Sequence, residues 1–383
     1  MPEFTEGKTE QKAGQKPFLA WFAVASALLL LALAFTMRLP TQEVNSEIQR
    51  QQGLSQRSSF DLKNTDPLSY LGMGTYLARL EEGSVIFMDV LGQVQQAYEM
   101  PFREGEISSS GGSLFIKSRL SSNLIMFQPQ GESIVIETDA TVENIQASEE
   151  RFLLLQKTTD SLGELKAYNK AQSQPLLTLS FFESGYPLDM AFHEDGKGFD
   201  LVLLNLNHAQ SGMLVYRYNE WGEKTAEMTL PGSEVLPAID LLNDDCTVFY
   251  NNQTVLLADI VQGQILFEES FEKIEDLALT TNHLALLVDE GDQLGLYILR
   301  KAEGSFSFER LDSFSKLDGD LLLVNSCESI FLAQNNIIRA YDFDSGSFLA
   351  ESELSEKVVN LIAQDNNTLI VLTDKNGYLF ALD

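Results

Sequence analysis

The sequence predicts an all-β fold built from one unit that recurs along most of the chain. The clearest copy, Leu317–Leu354, contains four short apolar strands separated by turn-forming residues, among them Asn335-Asn336 and Asp344-Ser345-Gly346. Similar units recur seven times, and a partial eighth unit with three strands ends at Asp383. Repeated four-stranded units of this length are typical of radial β architectures. The sequence therefore predicts a β-propeller.

The number of blades depends on how the last unit is completed. The seven complete units are predicted over residues 68–102, 104–140, 141–182, 183–232, 233–272, 273–313 and 317–354. An open final unit would expose unpaired strand edges, and the strand Ser58–Asn64 has no partner in the repeat. We expect this segment to close the last blade, with Phe60 and Leu62 buried beside the strand Tyr378–Leu382. This arrangement gives eight blades, and seven blades are the alternative if the first unit is divided differently.

A recurring turn signature supports the repeat. An apolar strand ends in Asp or Asn, and glycine often follows within four residues. The examples are Asp89 with Gly92, Asn219 with Gly222, Asp259 with Gly263 and Asp342 with Gly346, while Asn169 lacks the glycine. The Asp or Asn side chain caps the turn, and glycine adopts positive φ without strain. This signature resembles the repeats of pyrroloquinoline-quinone-like and WD40-like β-propellers, and the resemblance covers residues 58–383 at the level of the fold.

One transmembrane helix is predicted before the repeats. Phe18–Met37 contains no charged residue, and as a helix it would span about 30 Å, the thickness of a bilayer core. Lys8, Lys12 and Lys16 precede it, so the N-terminus is expected on the cytoplasmic side and the repeat domain outside. The alternative is a cleaved signal peptide, because Ala32-Leu33-Ala34 fits a small-x-small cleavage pattern. The apolar run is longer than such peptides usually have.

These features divide the chain into four predicted segments. They are a cytoplasmic tail at 1–17, the transmembrane helix at 18–37, a linker at 38–57 and the propeller domain at 58–383. The linker is rich in Gln, Ser and Glu and is interpreted as a spacer between membrane and domain. The expected product is a single-pass membrane protein whose propeller is extracytoplasmic, either in a periplasm or on a cell surface.

Charge and missing motifs exclude several classes of function. The net charge is −30, and residues 1–37 contribute nothing to it because they hold three Lys and three Glu. Such an acidic surface repels phosphate backbones, so nucleic-acid binding is not expected. Quinone-binding members of the resembled group would need a Trp in each blade and adjacent cysteines, but the domain has Trp221 alone. Because GxSxG, Walker and HExxH motifs are also absent, we predict no catalytic residue, cofactor or metal.

The few cysteines and histidines favour structural roles. Cys246 and Cys327 fall in the fifth and seventh units, too far apart for a disulfide, which needs Cα atoms within ~7 Å. We therefore expect two free thiols, both on small buried residues. His193, His208 and His283 lie in different units or loops, which favours exposed loop residues over metal ligands.

The predicted function is a non-catalytic scaffold that binds protein partners through loops on a rigid disc. The alternative is an enzyme or small-ligand sensor using the central channel, which converging carboxylates there would favour. The fourth unit is the longest, and its loops place aromatic groups beside hydrogen-bonding side chains, as interface hot spots do. The predicted partner-binding residues are Phe182, Glu183 and Tyr186 in the loop leading into this unit, and Asn207, His208 and Gln210 in the loop joining its second and third strands. For these loops, the alternative is a tolerated insertion that binds nothing.

Overall fold

The computed structural model describes most of the predicted repeat domain. The described residues are 53–63, 65–119, 122–129, 132–206, 212–232, 234–302, 304–319, 321–364 and 367–383. The predicted tail, the predicted transmembrane helix and all but the last five residues of the predicted linker lie outside them. Within the described part of the chain, no helix has the length and apolar character needed to cross a membrane.

The described residues form 32 β-strands and two short 3-10 helices, Pro67–Ser69 and Lys316–Asp318. The first strand is β1 (Leu54–Asp61). Blades 1 to 4 follow in chain order: β2 (Tyr70–Met73), β3 (Tyr76–Glu81), β4 (Ser84–Asp89), β5 (Val94–Glu99); β6 (Gly105–Ser110), β7 (Ser113–Ser118), β8 (Asn123–Phe127), β9 (Ser133–Glu137); β10 (Thr141–Ala147), β11 (Arg151–Lys157), β12 (Gly163–Asn169), β13 (Pro175–Phe181); β14 (Tyr186–Phe192), β15 (Phe199–Asn205), β16 (Gly212–Tyr218), β17 (Lys224–Thr229). Blades 5 to 7 are β18 (Ala238–Asn243), β19 (Cys246–Tyr250), β20 (Thr254–Asp259), β21 (Gln264–Ser270); β22 (Lys273–Thr280), β23 (His283–Asp289), β24 (Gln293–Ala302), β25 (Ser305–Ser315); β26 (Leu321–Asn325), β27 (Ser329–Gln334), β28 (Ile337–Asp342), β29 (Phe348–Glu353). Blade 8 contains β30 (Val358–Ala363), β31 (Thr368–Thr373) and β32 (Asn376–Leu382), together with β1.

Strand composition changes from the centre of each blade to its rim. The second strands are almost wholly apolar and buried, as in β11 (RFLLLQK) and β27 (SIFLAQ), because neighbouring blades cover both of their faces. The fourth strands are largely polar and exposed, as in β5 (VQQAYE). This gradient in burial is what makes each four-stranded unit recognisable in the sequence.

The eight sheets are arranged as a closed ring. Each sheet is antiparallel, and its strands lie in chain order apart from blade 8, where β1 is the outermost strand. The first strand of each blade contacts the first strand of the next, and β30 of blade 8 contacts β2 of blade 1. The protein is therefore an eight-bladed β-propeller whose inner strands surround a central channel, which confirms the predicted fold class and blade number.

The ring is closed by pairing between the two ends of the domain. β1 pairs with β32, and Phe60 lies opposite Gly377 in this ladder. Phe60 is half-buried and Leu62 is fully buried in the core between blades 8 and 1, and the Phe60 ring fills the space that a Cβ at Gly377 would need. The predicted closure is thus confirmed. The strand begins at Leu54 rather than Ser58, so it includes four residues that the sequence analysis assigned to the linker.

The apolar core is divided among the contacts between blades. Buried residues of the described part form eight clusters, and each cluster joins two neighbouring blades. Between blades 4 and 5, for example, Val202 and Val215 pack with Phe249 and Leu256. Full burial of a side chain of this size contributes roughly 1.5–3 kcal/mol. The ring is therefore stabilised by a series of similar interfaces between neighbouring blades.

The turns predicted from the Asx and glycine signature are present. In blade 1, the N–H of Leu91 donates to Asp89 Oδ1 at 2.9 Å, and Gly92 has a φ of 74°. In blade 7, the N–H of Ser345 donates to Asp342 Oδ1 at 2.6 Å. Both turns join the third and fourth strands of a blade, so the signature marks the third hairpin of the repeat.

The two cysteines are free, as predicted, but only one is buried. Cys246 packs in the core between blades 5 and 6, and burial raises the pKa of its thiol to about 12. Cys327 is exposed, because it lies in the turn between β26 and β27 rather than in a strand. The prediction that both residues are buried is therefore wrong for Cys327.

Candidate functional site

The strand registers place the loops of each blade on two faces of the disc. In blade 3, Thr141 at the start of β10 lies opposite Lys157 at the end of β11, and Gly163 at the start of β12 lies opposite Phe181 at the end of β13. The segment leading into a blade and the hairpin between its second and third strands therefore emerge together, on what we call the upper face. The first and third hairpins of each blade emerge on the lower face.

Three predicted partner-binding residues are described, and all lie on the upper-face segment leading into blade 4. Phe182 directly follows β13 at the rim of blade 3 and is 64% exposed. Glu183 is also exposed, and Tyr186 begins β14 opposite Leu204 with 44% of its surface exposed. The other three predicted residues, Asn207, His208 and Gln210, lie outside the described residues. The segment thus carries exposed aromatic side chains from the rim toward the channel.

Two further exposed apolar residues lie on nearby upper-face segments. Leu206, after β15, is 57% exposed, and Val235, in the segment leading into blade 5, is 43% exposed. Asn251 Nδ2 anchors the second segment by donating to Val235 O at 3.1 Å and to Glu234 Oε1 at 3.2 Å. We define the upper patch as Phe182, Tyr186, Leu206 and Val235. Leu206 and Val235 were not predicted from the sequence, although an apolar residue inside the turn-rich segment PGSEVLP was a signal for Val235.

The segments that form the upper patch are acidic. In the described parts of 157–163, 182–189, 204–206, 230–240 and 250–254, acidic residues outnumber basic ones five to one: the charged residues are Asp160, Glu183, Asp189, Glu234, Asp240 and Lys157. The other strongly exposed apolar residues on upper-face segments, Leu68 and Leu317, belong to blades 1 and 7. Exposed apolar groups beside charges of one sign are typical of surfaces that recognise a partner.

Three carboxylates lie on the inner strands of blades 4, 5 and 6. Asp189, Asp240 and Asp276 each accept a hydrogen bond from the N–H of the following residue, at 2.8, 3.1 and 2.8 Å respectively. A β-bulge precedes Asp189 and Asp276, which re-aims the side chain relative to the ladder. Asp189 also accepts from the Ile239 N–H of blade 5 at 3.1 Å and from Asn144 Nδ2 of blade 3. A single carboxylate therefore links three neighbouring blades.

The surroundings of these carboxylates disfavour their charged form. Burial raises the pKa of Asp189 to about 6, with a further contribution from the like charge of Asp240. Burial likewise raises the pKa of Asp240. Burial raises the pKa of Tyr250 to about 12, and Asp240, Asp189 and Asp276 all add to this increase, so the three carboxylates share one neighbourhood. The hydrogen bonds that described residues donate to them come from neutral amide groups.

The sequence contains a signal for these residues that a motif search does not reveal. An Asp or Asn followed by an apolar residue occurs on the inner strand of five blades: Asn144-Ile145, Asp189-Met190, Asp240-Leu241, Asp276-Leu277 and Asn360-Leu361. The pattern becomes visible only when the repeats are aligned on their inner strands. Converging carboxylates were the feature expected to favour a channel function. Within the described residues, no group of three or more His, Cys, Asp or Glu is placed to hold a metal ion.

A buried ion pair joins blades 4 and 5. Asp200, which is fully buried, accepts hydrogen bonds from Nε and Nη2 of Arg217, both at 2.8 Å, and from Thr247 Oγ1 of blade 5 at 3.0 Å. His193 Nε2 lies 2.9 Å from Asp200 Oδ1, and Arg217 Nη1 donates to Asp244 O at 2.8 Å. Burial opposes ionisation of Asp200, but the bonds from Arg217 and His193 outweigh it and lower its pKa. This network stabilises the two blades whose upper segments carry most of the upper patch.

The histidines differ from the sequence prediction. His193 is half-buried, because its ring contacts Asp200. His283 is half-buried as well, with its ring stacked on Phe343 at a centroid distance of 5.3 Å. The prediction that these two residues are exposed is therefore wrong, while His208 lies outside the described residues.

Comparisons with known proteins agree with the fold. Residues 47–378 match the model of a family of unknown function, DUF5711. The chain belongs to this family. Among solved structures, it is similar to BamB from Moraxella catarrhalis, with 13% identity, a TM-score of 0.53 and coverage of 86% of this chain and 99% of BamB. It is also similar to Sqt1 from Saccharomyces cerevisiae, with 12% identity, a TM-score of 0.58 and coverage of 87% and 100%. No curated protein matches the sequence, and identities this low show the fold alone.

Proposed function

We propose that this member of the DUF5711 family is a membrane-anchored, extracytoplasmic β-propeller that acts as a non-catalytic scaffold and binds protein through its upper patch. The observation that carries the proposal is the set of exposed apolar side chains around blades 3 to 5, led by Phe182 and Tyr186. Burying such side chains against a partner contributes roughly 1.5–3 kcal/mol each. Aromatic residues on a preorganised surface are also the usual centre of an interface hot spot.

The rigidity of the surrounding fold supports this assignment. The segments leading into blades 4 and 5 are tied by Asp189 to Ile239 and by Asn251 to Val235. Toward the lower face of the same blades, the buried pair of Asp200 and Arg217 joins strands β15 and β16 and reaches blade 5 through Thr247. A surface held in this way loses little conformational entropy on binding, so its apolar contacts translate more fully into affinity.

The membrane anchor is supported by the sequence. Residues 18–37 are long and apolar enough to span a bilayer as a helix, and the three lysines before them favour a cytoplasmic N-terminus. The net charge of −30 lies entirely beyond residue 37, which suits a domain that stays soluble beside the membrane. In this arrangement the propeller meets partners outside the cytoplasm.

Affinity capture from membranes of the source cells, with the full chain as bait, tests the proposal. The test variant is Phe182→Ser/Tyr186→Ser, and the matched control is Trp221→Ser, whose side chain is 72% exposed on the lower face of blade 4. We expect the double variant to reduce recovery of the partner at least tenfold, because two hot-spot truncations cost roughly 1–2 kcal/mol each. The control should leave recovery unchanged.

The melting temperature of each variant separates loss of contact from loss of fold. Reduced capture with an unchanged melting temperature supports the upper patch as the binding surface. Undiminished capture by the double variant overturns the proposal, as does an equal loss in the Trp221→Ser control.

A second candidate is a small-ligand sensor or enzyme that uses the channel. The observation in its favour is the group of Asp189, Asp240 and Asp276, whose shared neighbourhood raises the pKa of Tyr250. Thermal-shift titration of the full chain with free arginine, lysine and Ca²⁺ tests this candidate. A saturable rise in melting temperature that disappears in Asp240→Asn would favour it, and the absence of any shift would exclude these ligands.

A further inference from the structure

We infer that the segment of the partner that contacts the upper patch carries Lys or Arg beside apolar residues, and that its cation is held by Asp189 and Asp240, on the inner strands below the patch. This inference rests on the proposed function, since it specifies the chemistry of the protein that the upper patch binds. The proposed occupant of the upper patch is a polypeptide segment that is both cationic and apolar. Its positive charge complements the acidic residues around the patch.

The upper patch provides the apolar half of the contact. Phe182, Tyr186, Leu206 and Val235 are each between 43% and 64% exposed. They lie on three segments that meet at the upper ends of blades 3, 4 and 5. A partner must therefore supply apolar side chains to cover them, because polar groups set against them would be desolvated without hydrogen-bond partners.

The acidic residues around the upper patch provide the charged half of the contact. Five of the six charged residues in the described segments around the patch are acidic, with Lys157 as the exception, and the whole chain carries a net charge of −30. An acidic partner segment would be repelled at this surface, whereas a basic one would be attracted before contact. The sign of the field therefore selects Lys and Arg in the partner.

Asp189 and Asp240 are the carboxylates at which we place the cation of the partner. Asp200 has an arginine of its own chain, with both of its oxygens bonded to Arg217 at 2.8 Å. Asp189 and Asp240, by contrast, accept hydrogen bonds from neutral amides. Asp189 and Asp240 are each half-buried, so attraction to an added cation is screened less there than at a fully exposed residue. A Lys or Arg side chain from a partner would supply the charge that the fold itself does not.

The distance from Tyr186 to Asp189 sets how far into the channel the partner must extend. β14 begins at Tyr186 on the upper face, and Asp189 follows three residues later. At about 3.3 Å per residue, the carboxylate lies roughly 10 Å along the strand from the patch. A partner segment that continues from Tyr186 into the channel can place a Lys or Arg side chain there, with its apolar stem beside the channel wall and its charge among the carboxylates.

Binding of synthetic peptides to the full chain tests the inference. The chain is placed in nanodiscs of neutral phosphatidylcholine, and empty nanodiscs serve as the blank. The probes are three fluorescein-labelled 12-residue peptides, one alternating Leu and Lys, one alternating Leu and Glu, and one alternating Ser and Lys. We expect fluorescence anisotropy to show binding of the Leu–Lys peptide at least tenfold tighter than either of the others, with affinity falling as salt is raised.

Variants locate the two halves of the contact. Asp240→Asn should weaken the Leu–Lys peptide about tenfold, and Phe182→Ser/Tyr186→Ser should weaken it by a similar factor. The charge control is Asp344→Asn, because the Asp344 side chain is 91% exposed on the lower face, and the apolar control is Trp221→Ser. Both controls should bind as the unmodified chain does. Asp240→Asn keeps the size of the side chain, and its melting temperature shows whether the fold is intact.

The outcomes separate this inference from the proposed function. Equal binding of the Leu–Glu and Leu–Lys peptides, or undiminished Leu–Lys binding by Asp240→Asn, overturns the inference. If capture of the cellular partner still depends on Tyr186 in that case, the proposed function stands with a partner of different chemistry. If capture is also independent of Phe182 and Tyr186, both are wrong.

Discussion

The interface that closes the ring and the interface between blades 4 and 5 are stabilised by different means. The closing strand β1 is held by its ladder to β32 and by apolar groups, with Leu62 fully buried and Leu54 nearly so. The ion pair of Arg57 and Asp383 at this interface is exposed. Exposed pairs contribute roughly 0–1 kcal/mol, so closure depends mainly on apolar burial and strand pairing.

Blades 4 and 5 share a similar apolar core but add polar links that cross between them. Asp200 binds Arg217 in the interior and Thr247 in the next blade, and Asp189 binds the backbone of Ile239. Buried polar contacts of this kind fix geometry, because a displaced partner would leave a buried charge unpaired. The comparison teaches that the ring is closed by features shared among blades, whereas blades 4 and 5 are joined by additional polar contacts particular to them.

Removal of the closing strand should have the largest effect on stability. A chain beginning at Thr65 should unfold with a free energy about 5 kcal/mol or more below that of a chain beginning at Gly53, because Leu54, Phe60 and Leu62 each contribute roughly 1.5–3 kcal/mol by burial. Chemical denaturation of the two chains provides the measurement. Equal midpoints would show that β1 is dispensable and that closure does not depend on it.

Breaking the buried ion pair should have the next largest effect. Asp200→Ala should lower the free energy of unfolding by about 3–5 kcal/mol, because it leaves the Arg217 guanidinium buried without its carboxylate. The double variant Asp200→Leu/Arg217→Met should recover most of this loss, since it removes both charges. If the single variant is as stable as the double variant, Arg217 finds another partner and the network is not what links these blades.

The pH dependence of stability should distinguish the two carboxylates of the same interface. The pKa of Asp189 is raised to about 6 from the usual value of 3.8, so the folded state holds the proton of this carboxyl more tightly than the unfolded chain. The contribution of Asp189 to the free energy of unfolding should therefore be highest at and below pH 4. It should fall by about 2–3 kcal/mol as the pH rises through 6. Asp200 acts in the opposite sense, because its pKa is lowered, and its contribution is lost as the pH falls below 4.

Urea denaturation between pH 4 and 7.5 measures the contribution of Asp189. The free energy of unfolding of the unmodified chain minus that of Asp189→Asn should decrease across the range. Asp240, Tyr250 and Asn144 surround the group and are present in both chains, so their effects largely cancel. A constant difference between the two chains would contradict the raised pKa of Asp189.

The alkylation rates of the two thiols should show the smallest effect in this series. Cys246 lies in blade 5, so its rate reports on that blade directly. At pH 8, iodoacetamide should alkylate Cys327 in the folded protein and leave Cys246 unmodified, because Cys246 is buried and its pKa is raised to about 12. Mass spectrometry of the denatured protein should show no internal bridge. Asp200→Ala should accelerate modification of Cys246 if the polar links hold blade 5 in place, and an unchanged rate would argue against that role.

The repeat itself could be predicted from the sequence because its signals are local. Second strands such as β11 are apolar over their whole length, and third hairpins carry an Asx residue and often a glycine. The closing strand could be inferred because an open blade is physically unfavourable. Its start at Leu54 was missed because Leu54 is an isolated apolar residue in the polar stretch QQGLSQRS.

The polar contacts could not be predicted in the same way. Asp200, Arg217 and Thr247 come from three strands of two blades, and no spacing in the sequence brings them together. His193 was misjudged for the same reason, since its partner Asp200 lies across a hairpin. The channel carboxylates carry a repeat-level signal, but an Asp before an apolar residue gains meaning only when its position on the inner strand is known. Leu206 and Val235 lie on segments whose proximity follows from the closed ring.

Site-specific photo-crosslinking in intact source cells tests the central claim most directly. A photoreactive residue is placed at Tyr186 on the upper face or, as the control, at Trp221 on the lower face of the same blade, and the crosslinked peptides are sequenced by mass spectrometry. We predict that Tyr186 yields a reproducible adduct with one protein and that Trp221 does not. Equal adducts at the two positions, or a specific adduct at Trp221 alone, would contradict the assignment of the upper patch as the binding surface.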